Sequence, residues 1–103
     1  MGNAEREKGK AGEREVAAIF AAAGCSVEQL QRNRGDTLDL LIDQELYVDS
    51  KRHEKLQVAL WLREIAATAP NGGPHIVAFR SSRSPWYQAG PLQSYVDLWS
   101  GKL

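Results

Sequence analysis

The sequence predicts an α/β fold: a mixed sheet flanked by helices, in the order helix, three strands, helix, strand, strand, helix. Three observations carry this. Residues 38–42 and 45–51 are two short runs rich in Leu, Ile, Val and Tyr, separated by Asp43 and Gln44, which is the pattern of a β-hairpin. Ahead of it, Val16, Ile19, Phe20 and Ala23 recur at i, i+3, i+4 and i+7, one face of a helix over residues 11–23. After it, a helical run over residues 56–69 leads into an apolar strand at residues 75–80, so helix and strand alternate through the second half.

Taken in order, residues 1–8 are polar and highly charged and read as a loose arm or frayed helix start. The first helix ends at Gly24. Within it Glu13 falls on the buried stripe at the first turn, and Glu15 points roughly to the opposite side. An inward carboxylate at that point either serves chemistry or complements the positive end of the helix dipole. Residues 26–30 read as a short strand and residues 31–35 as a polar loop with two arginines. In the second helix Leu56, Ala59, Leu60, Arg63 and Ala67 lie along one side, with Val58, Leu62, Ile65 and Ala66 widening the apolar face. Pro70 stops it, and Asn71, Gly72, Gly73 and Pro74 form a turn-rich loop. Residues 86–88 read as a short strand, and Pro91 suits the first position of a last helix through Trp99.

A chain of 103 residues suits one domain, residues 1–103, with a single core. Its 43% hydrophobic and 25% charged content is that of an ordinary soluble globular protein. No apolar run is long enough to span a bilayer and the charged start lacks a signal-peptide core, so the expected location is the cytoplasm. Cys25 is the only cysteine, which leaves no internal disulfide and no cysteine-based zinc site; a small buried hydrophobe is its expected role. The formal charge of zero argues against a non-specific nucleic-acid coat. The charge is nevertheless polarised: residues 1–50 carry 6 Lys/Arg against 10 Asp/Glu, a net of −4, and residues 51–103 carry 7 against 3, a net of +4.

The chemistry concentrates in residues 34–55. Strand alternation puts Asp39 on a face with Leu41, and Tyr47, Asp49 and Lys51 together on a face of the second hairpin strand. If the two faces coincide, two carboxylates and an ammonium converge. Like charges so close repel, and a hard divalent cation would neutralise them. Mg²⁺ takes oxygen ligands near octahedral geometry, so Asp39, Asp49 and the Ser50 carbonyl suit it, with Glu13 binding directly, through water, or positioning a second ion. Asp36, beside Gly35, competes with Asp39 as a ligand. Equally, Asp49 and Lys51 read as a surface pair of little energetic worth, and Asp36 and Asp39 as turn residues. His53 and His75 lack metal-ligand spacing.

These residues, in this order, resemble the PD-(D/E)xK nuclease superfamily, and within it the small archaeal and bacteriophage Holliday-junction-resolvase-like endonucleases. The resemblance covers nearly the whole chain. Lys8-Gly9-Lys10-Ala11-Gly12-Glu13-Arg14 is similar to the family's basic start with its helix-borne acid at Glu13. Asp39 matches the aspartate of the Pro-Asp pair, and Asp49-Ser50-Lys51 the acid-x-Lys. Arg80-Ser81-Ser82-Arg83-Ser84-Pro85-Trp86 is similar to a basic Pro-Trp segment of the phage branch. Leu38 departs from the usual proline, and Asp49 from the glutamate of that branch, one methylene shorter.

The resemblance implies a restriction-endonuclease-like αβββαβ core and a Mg²⁺-dependent DNA endonuclease, with Mn²⁺ able to substitute. Glu13, Asp39, Asp49 and Lys51 are its implied catalytic residues. Four-way junctions are the leading substrate, in DNA recombination and repair; nicking, flap cutting or restriction, and a non-catalytic DNA-binding module, are the alternatives. Lys8, Lys10, Arg14, Arg34, Arg52, Lys55, Arg80 and Arg83 are candidate phosphate contacts. The resemblance further implies a two-fold homodimer. Trp61, on the polar side of the second helix with Gln57, Glu64 and Thr68, either anchors that interface or packs on the last helix through Leu98 or Trp99.

Overall fold

In the computed structural model, residues 2–30 and 38–100 are described, with side chains from Lys10 onward except Asn71. The expected order of elements is present: α1 (Gly2–Ala22), β1 (Val27–Gln29), β2 (Leu40–Ile42), β3 (Leu46–Arg52), α2 (Val58–Thr68), β4 (His75–Arg80), β5 (Tyr87–Ala89) and α3 (Leu92–Ser100). Among the described residues the sheet runs β1-β2-β3-β4-β5. β3 and β4 are parallel, joined by the α2 crossover, and the other neighbours are antiparallel, so the sheet is mixed as expected. Among the described residues no helix is long and apolar enough to cross a membrane.

Local chemistry sets the boundaries. α1 begins at Gly2, earlier than the sequence pattern suggests, because Ala, Glu, Arg and Lys are strong helix formers and extend it through the charged segment read as an arm. It ends at Gly24, whose φ of 89° only glycine adopts cheaply. Cys25 N–H donates to Phe20 O and Gly24 N–H to Ala21 O, the paired bonds of a Schellman motif. The β2–β3 hairpin turns on Asp43 and Gln44, both left-handed at φ 51° and 55°, the twist a tight hairpin needs. Asp43 also ties the hairpin to the approach of β1: its N–H donates to Ser26 O, and its Oδ1 accepts from Ser26 N–H at 2.8 Å.

The sheet divides the core in two. On one face Val16, Leu40, Ile42, Leu46, Val48 and Ala78 form a buried cluster, joined by Ala17, Phe20 and Cys25 from α1 and its cap. On the other, Leu38, Trp61, Ile65 and Val77 pack together, with Val58 and Leu62 of α2 at the edge. α2 therefore buries Val58, Trp61, Leu62 and Ile65, and the expected stripe of Leu56, Ala59, Leu60, Arg63 and Ala67 faces solvent. Both flanks of this helix are apolar, so periodicity alone could not decide between them; the flank carrying tryptophan removes more surface from water. Trp61 is only 4% exposed and neighbours Phe79 and His53, not Leu98 or Trp99, so both earlier placements of this residue fail. Ile19, expected on the buried stripe of α1, is exposed.

Candidate metal and phosphodiester site

Register brings the hairpin carboxylates together. Leu40 pairs with Val48, and Asp39, the residue before β2, donates its N–H to the same Val48 O at 3.0 Å. Both aspartates are fully buried. β2 proper begins at Leu40, which leaves Ser50 beyond its end without a strand residue to pair with on that side. The Asp39 side chain fills the gap: Oδ2 accepts the Ser50 N–H at 2.8 Å and the Ser50 hydroxyl at 2.9 Å. The N–H and C=O of one residue in a strand point the same way, so the Ser50 carbonyl is directed to the Asp39 side as well.

Lys51 completes the group. Its Nζ lies 3.5 Å from Asp49 Oδ2, and its side chain keeps a fifth of its surface in solvent. Asp49 and Lys51 register with Val77 and Phe79, so they lie on the α2 face, backed by the aromatic row His53, Trp61 and Phe79. Two buried carboxylates joined by a directed carbonyl are oxygen donors of the kind Mg²⁺ takes, since this ion is commonly held by one or two protein carboxylates with water and phosphate completing its shell.

Glu13 stands apart. It is half-buried on α1, over the other face, in a cleft of about 300 Å³ shared with Lys10, Arg14 and Gln29. Among the described residues no three His, Cys, Asp or Glu side chains group closely enough to hold a metal. The reason is topological: α1 covers the face of Ser50 and Arg52, and strand alternation sends Asp49 and Lys51 to the other.

The candidate phosphate contacts disperse. Lys10, Arg14, Lys55 and Arg83 are exposed, and Arg83 sits at a left-handed φ of 64° in the loop before β5. Arg34 and the competing ligand Asp36 lie outside the described residues, as does the side chain of Lys8. Arg52 and Arg80 converge on a residue the sequence pattern pointed away from the sheet. Glu15 Oε2 accepts from Arg52 Nη1 at 3.1 Å, and Oε1 accepts from Arg80 Nη1 at 2.7 Å and from the Trp86 indole N–H at 3.1 Å. One residue step on a helix is about 100°, so Glu15 lies on the flank beside Val16 and its flexible side chain reaches the sheet edge. Gly12, one turn earlier, lets the helix approach: a Cβ there would stand 3.3 Å from Arg52 Cβ and 3.4 Å from the Trp86 ring. Beyond this, Glu54 accepts from the Ser82 N–H at 3.0 Å and from its hydroxyl, fixing the loop that carries Arg83.

Three further residues thus escaped the sequence pattern: Ser50 as the donor orienting Asp39, Glu15 as acceptor of two arginines, and Trp86 as its neutral donor. The only signal for Ser50 was its place between Asp49 and Lys51.

Comparison with protein-family models finds no match, and neither does comparison with curated proteins. Among solved structures, the chain is similar to Archaeoglobus fulgidus Hjc, a Holliday junction resolvase from an archaeal hyperthermophile. The TM-score is 0.62 at 20% sequence identity, covering 84% of this chain and 74% of that one. At this identity the likeness establishes the fold alone, which is Hjc-like.

Proposed function

We propose that this protein is a metal-dependent DNA endonuclease that cleaves phosphodiester bonds in branched DNA, four-way junctions above all. The observation that carries the reading is the pair of fully buried carboxylates, Asp39 just before β2 and Asp49 on β3, with the Lys51 ammonium 3.5 Å from Asp49 Oδ2. Burying two carboxylates is costly unless a cation or donors compensate, and these stand at the strand ends of an Hjc-like fold.

In this reading Asp39, Asp49 and the Ser50 carbonyl hold Mg²⁺, or Mn²⁺ in its place. When bound, the ion supplies Lewis-acid polarisation of the phosphate and a water of lowered pKa. Ser50 fixes the Asp39 carboxylate by two hydrogen bonds, the kind of outer-shell support that keeps a ligand oriented. Lys51, tethered to Asp49, carries donors to the charge that develops on the non-bridging phosphate oxygens and orients the attacking water. Glu13, on α1, acts from the rim through water, beside Lys10 and Arg14 as phosphate contacts. Lys8, Arg34, Lys55 and Arg83 extend that surface, whereas Arg52 and Arg80 are engaged by Glu15. The single catalytic domain, residues 1–103, works in the cytoplasm, in recombination and repair, including that of a bacteriophage.

The test is incubation with a four-way junction, a matched duplex and a flap, in Mg²⁺ and in EDTA. Junction cleavage in Mg²⁺ alone supports the reading; cleavage of duplex or flap in preference redirects the substrate, and DNA bound but uncut makes the protein a binding module. DNA affinity should fall steeply with salt, because each neutralised duplex phosphate contributes about 0.9 to the slope of log K against log salt. A slope near zero, measured by fluorescence anisotropy, removes these basic residues from the interface.

We further infer a two-fold homodimer, with its interface moved from Trp61 to α3. Leu92, Tyr95, Val96 and Trp99 fall at i, i+3, i+4 and i+7 and are 77%, 57%, 45% and 55% exposed, with the Tyr95 and Trp99 rings stacked at 6.1 Å. A nine-residue helix is marginal without tertiary packing, and here Ser94 and Leu98 supply most of what the protomer provides. The stripe adjoins an apolar groove of about 560 Å³ lined by Phe20, Leu46, Ile76 and Leu98. Half-exposed Tyr87 and Ile19 add further apolar surface, and a standard interface buries ~800 Å² per partner. A two-fold axis seats one copy's ridge in the other's groove. Sedimentation at micromolar concentration should give twice the 11.4 kDa chain mass for the wild type and one chain for Trp99→Glu. A monomeric wild type sinks the interface.

A further inference from the structure

Outside the metal site lie the α3 stripe already used, His75 with a buried ring nitrogen, and the polar cluster around Glu15. His75 Nδ1–H donates to Gly73 O at 2.9 Å, and among the described residues its Nε2 meets no hydrogen-bond partner. The Glu15 cluster carries further.

Arg52 and Arg80 are direct register partners on the parallel strands β3 and β4. Adjacent strands lie about 4.8 Å apart, so two cations face one another across the ladder on the α1 face. Like charges directly opposite destabilise a pair of strands. Glu15 is the anion between them, one carboxylate oxygen to each guanidinium, with the Trp86 indole N–H as a second donor to Oε1. Arg80 also stacks over the Trp86 ring at 5.8 Å, and the Arg52 Nε is buried with no hydrogen-bond partner among the described residues. Among the described residues, the contact that holds the Arg52 guanidinium is therefore the one to Glu15. The neighbouring register pair is Lys51 with Phe79, and Asp49 with Val77 lies three residues from the clamp. The end of the ladder that Glu15 closes is the end that carries the acid-x-Lys residues.

We propose that Glu15 is a positioning residue for phosphodiester cleavage: by neutralising the facing Arg52 and Arg80 it holds the ends of β3 and β4 together and thereby fixes Lys51 and Asp49. This rests on the nuclease reading above. Glu15 touches neither the metal carboxylates nor, in this scheme, the phosphate; it acts through the strand ends. With Glu15→Gln the carboxylate charge is lost while its shape remains, the two guanidiniums repel, and the ladder end opens by the small distance that matters for a reacting group.

The experiment measures kcat and KM on a four-way junction in Mg²⁺, DNA affinity in EDTA, and Tm, for wild type, Glu15→Asp, Glu15→Gln and the double variant Glu15→Gln/Arg80→Met. Glu15→Gln should lower kcat about 10-fold, the scale seen when outer-shell partners are removed. DNA affinity in EDTA should hold or rise, because the net charge becomes more positive. Glu15→Asp, which keeps the charge with a shorter reach, should fall between. Removing Arg80 in the Glu15→Gln background should recover kcat, since the repelling pair is gone. A purely structural clamp instead lowers Tm and leaves kcat of the folded protein unchanged, which overturns the proposal; so does a double variant no faster than Glu15→Gln. If Glu15→Gln does not fold, the order of wild type, Glu15→Asp and the double variant decides it, and a double variant slower than Glu15→Asp overturns it. A wild type that cuts no DNA defeats the nuclease reading itself, whereas active wild type with an unaltered Glu15→Gln defeats only this inference.

Discussion

Lys51→Ala is expected to lower DNA cleavage by about 10²–10³-fold or more, the cost of removing one preorganised donor from a developing anion. Folding and DNA binding should change little, because the side chain is a fifth exposed and, among the described residues, is tethered by the 3.5 Å contact to Asp49. Asp49→Asn should abolish cleavage differently, by removing a metal ligand, and calorimetric titration should then show Mg²⁺ affinity lost with activity. Asp39→Asn is the sharper comparison. The asparagine side-chain oxygen can still accept from the Ser50 N–H and hydroxyl, so the hairpin should keep its geometry while the site loses a charge. Removing one of two buried like charges should leave the Tm of the metal-free protein unchanged or raised. Cleavage retained by any of these purified variants removes the site assignment.

The second large effect is on stability. Trp61→Ala should destabilise the fold by about 3–5 kcal/mol, the usual cost of truncating a buried tryptophan. Trp61 is 4% exposed and sits among Leu38, Ile65 and Val77, with Phe79 and His53 against its ring, so its removal opens a cavity. For a domain of this size each kcal/mol shifts Tm by about 4–8 °C. Total stabilities are only about 5–15 kcal/mol, so the variant stands close to unfolding at ordinary temperature. Leu60→Ala, one residue earlier and 42% exposed, is the control and should change stability by no more than about 0.5 kcal/mol. Calorimetric melting of the pair checks both. A Trp61 variant that melts like wild type would return this residue to the surface and reopen the interface originally read from the sequence.

What was legible without coordinates was whatever depends on period and local turn chemistry. The β2–β3 hairpin, the Gly24 cap and the order of elements follow from alternation, helical spacing and backbone preference within short windows. The register was not legible in this way: a two-residue turn would set Ile42 opposite Glu45, whereas the structure sets Ile42 opposite Leu46 with three residues between them. What only the tertiary structure decided was which of two eligible surfaces each helix buries. α2 carries apolar residues on both flanks, and contact with Val77 and Phe79 on the sheet selected the one bearing Trp61. α1 bears acids at 13 and 15, and its placement over the face of Arg52 and Arg80 put Glu13 at a rim cleft and Glu15 between the arginines. Neither choice is written in a local pattern, because the partners lie 37 and 65 residues away from Glu15 in the chain, and only the packing of helix on sheet brings them to it.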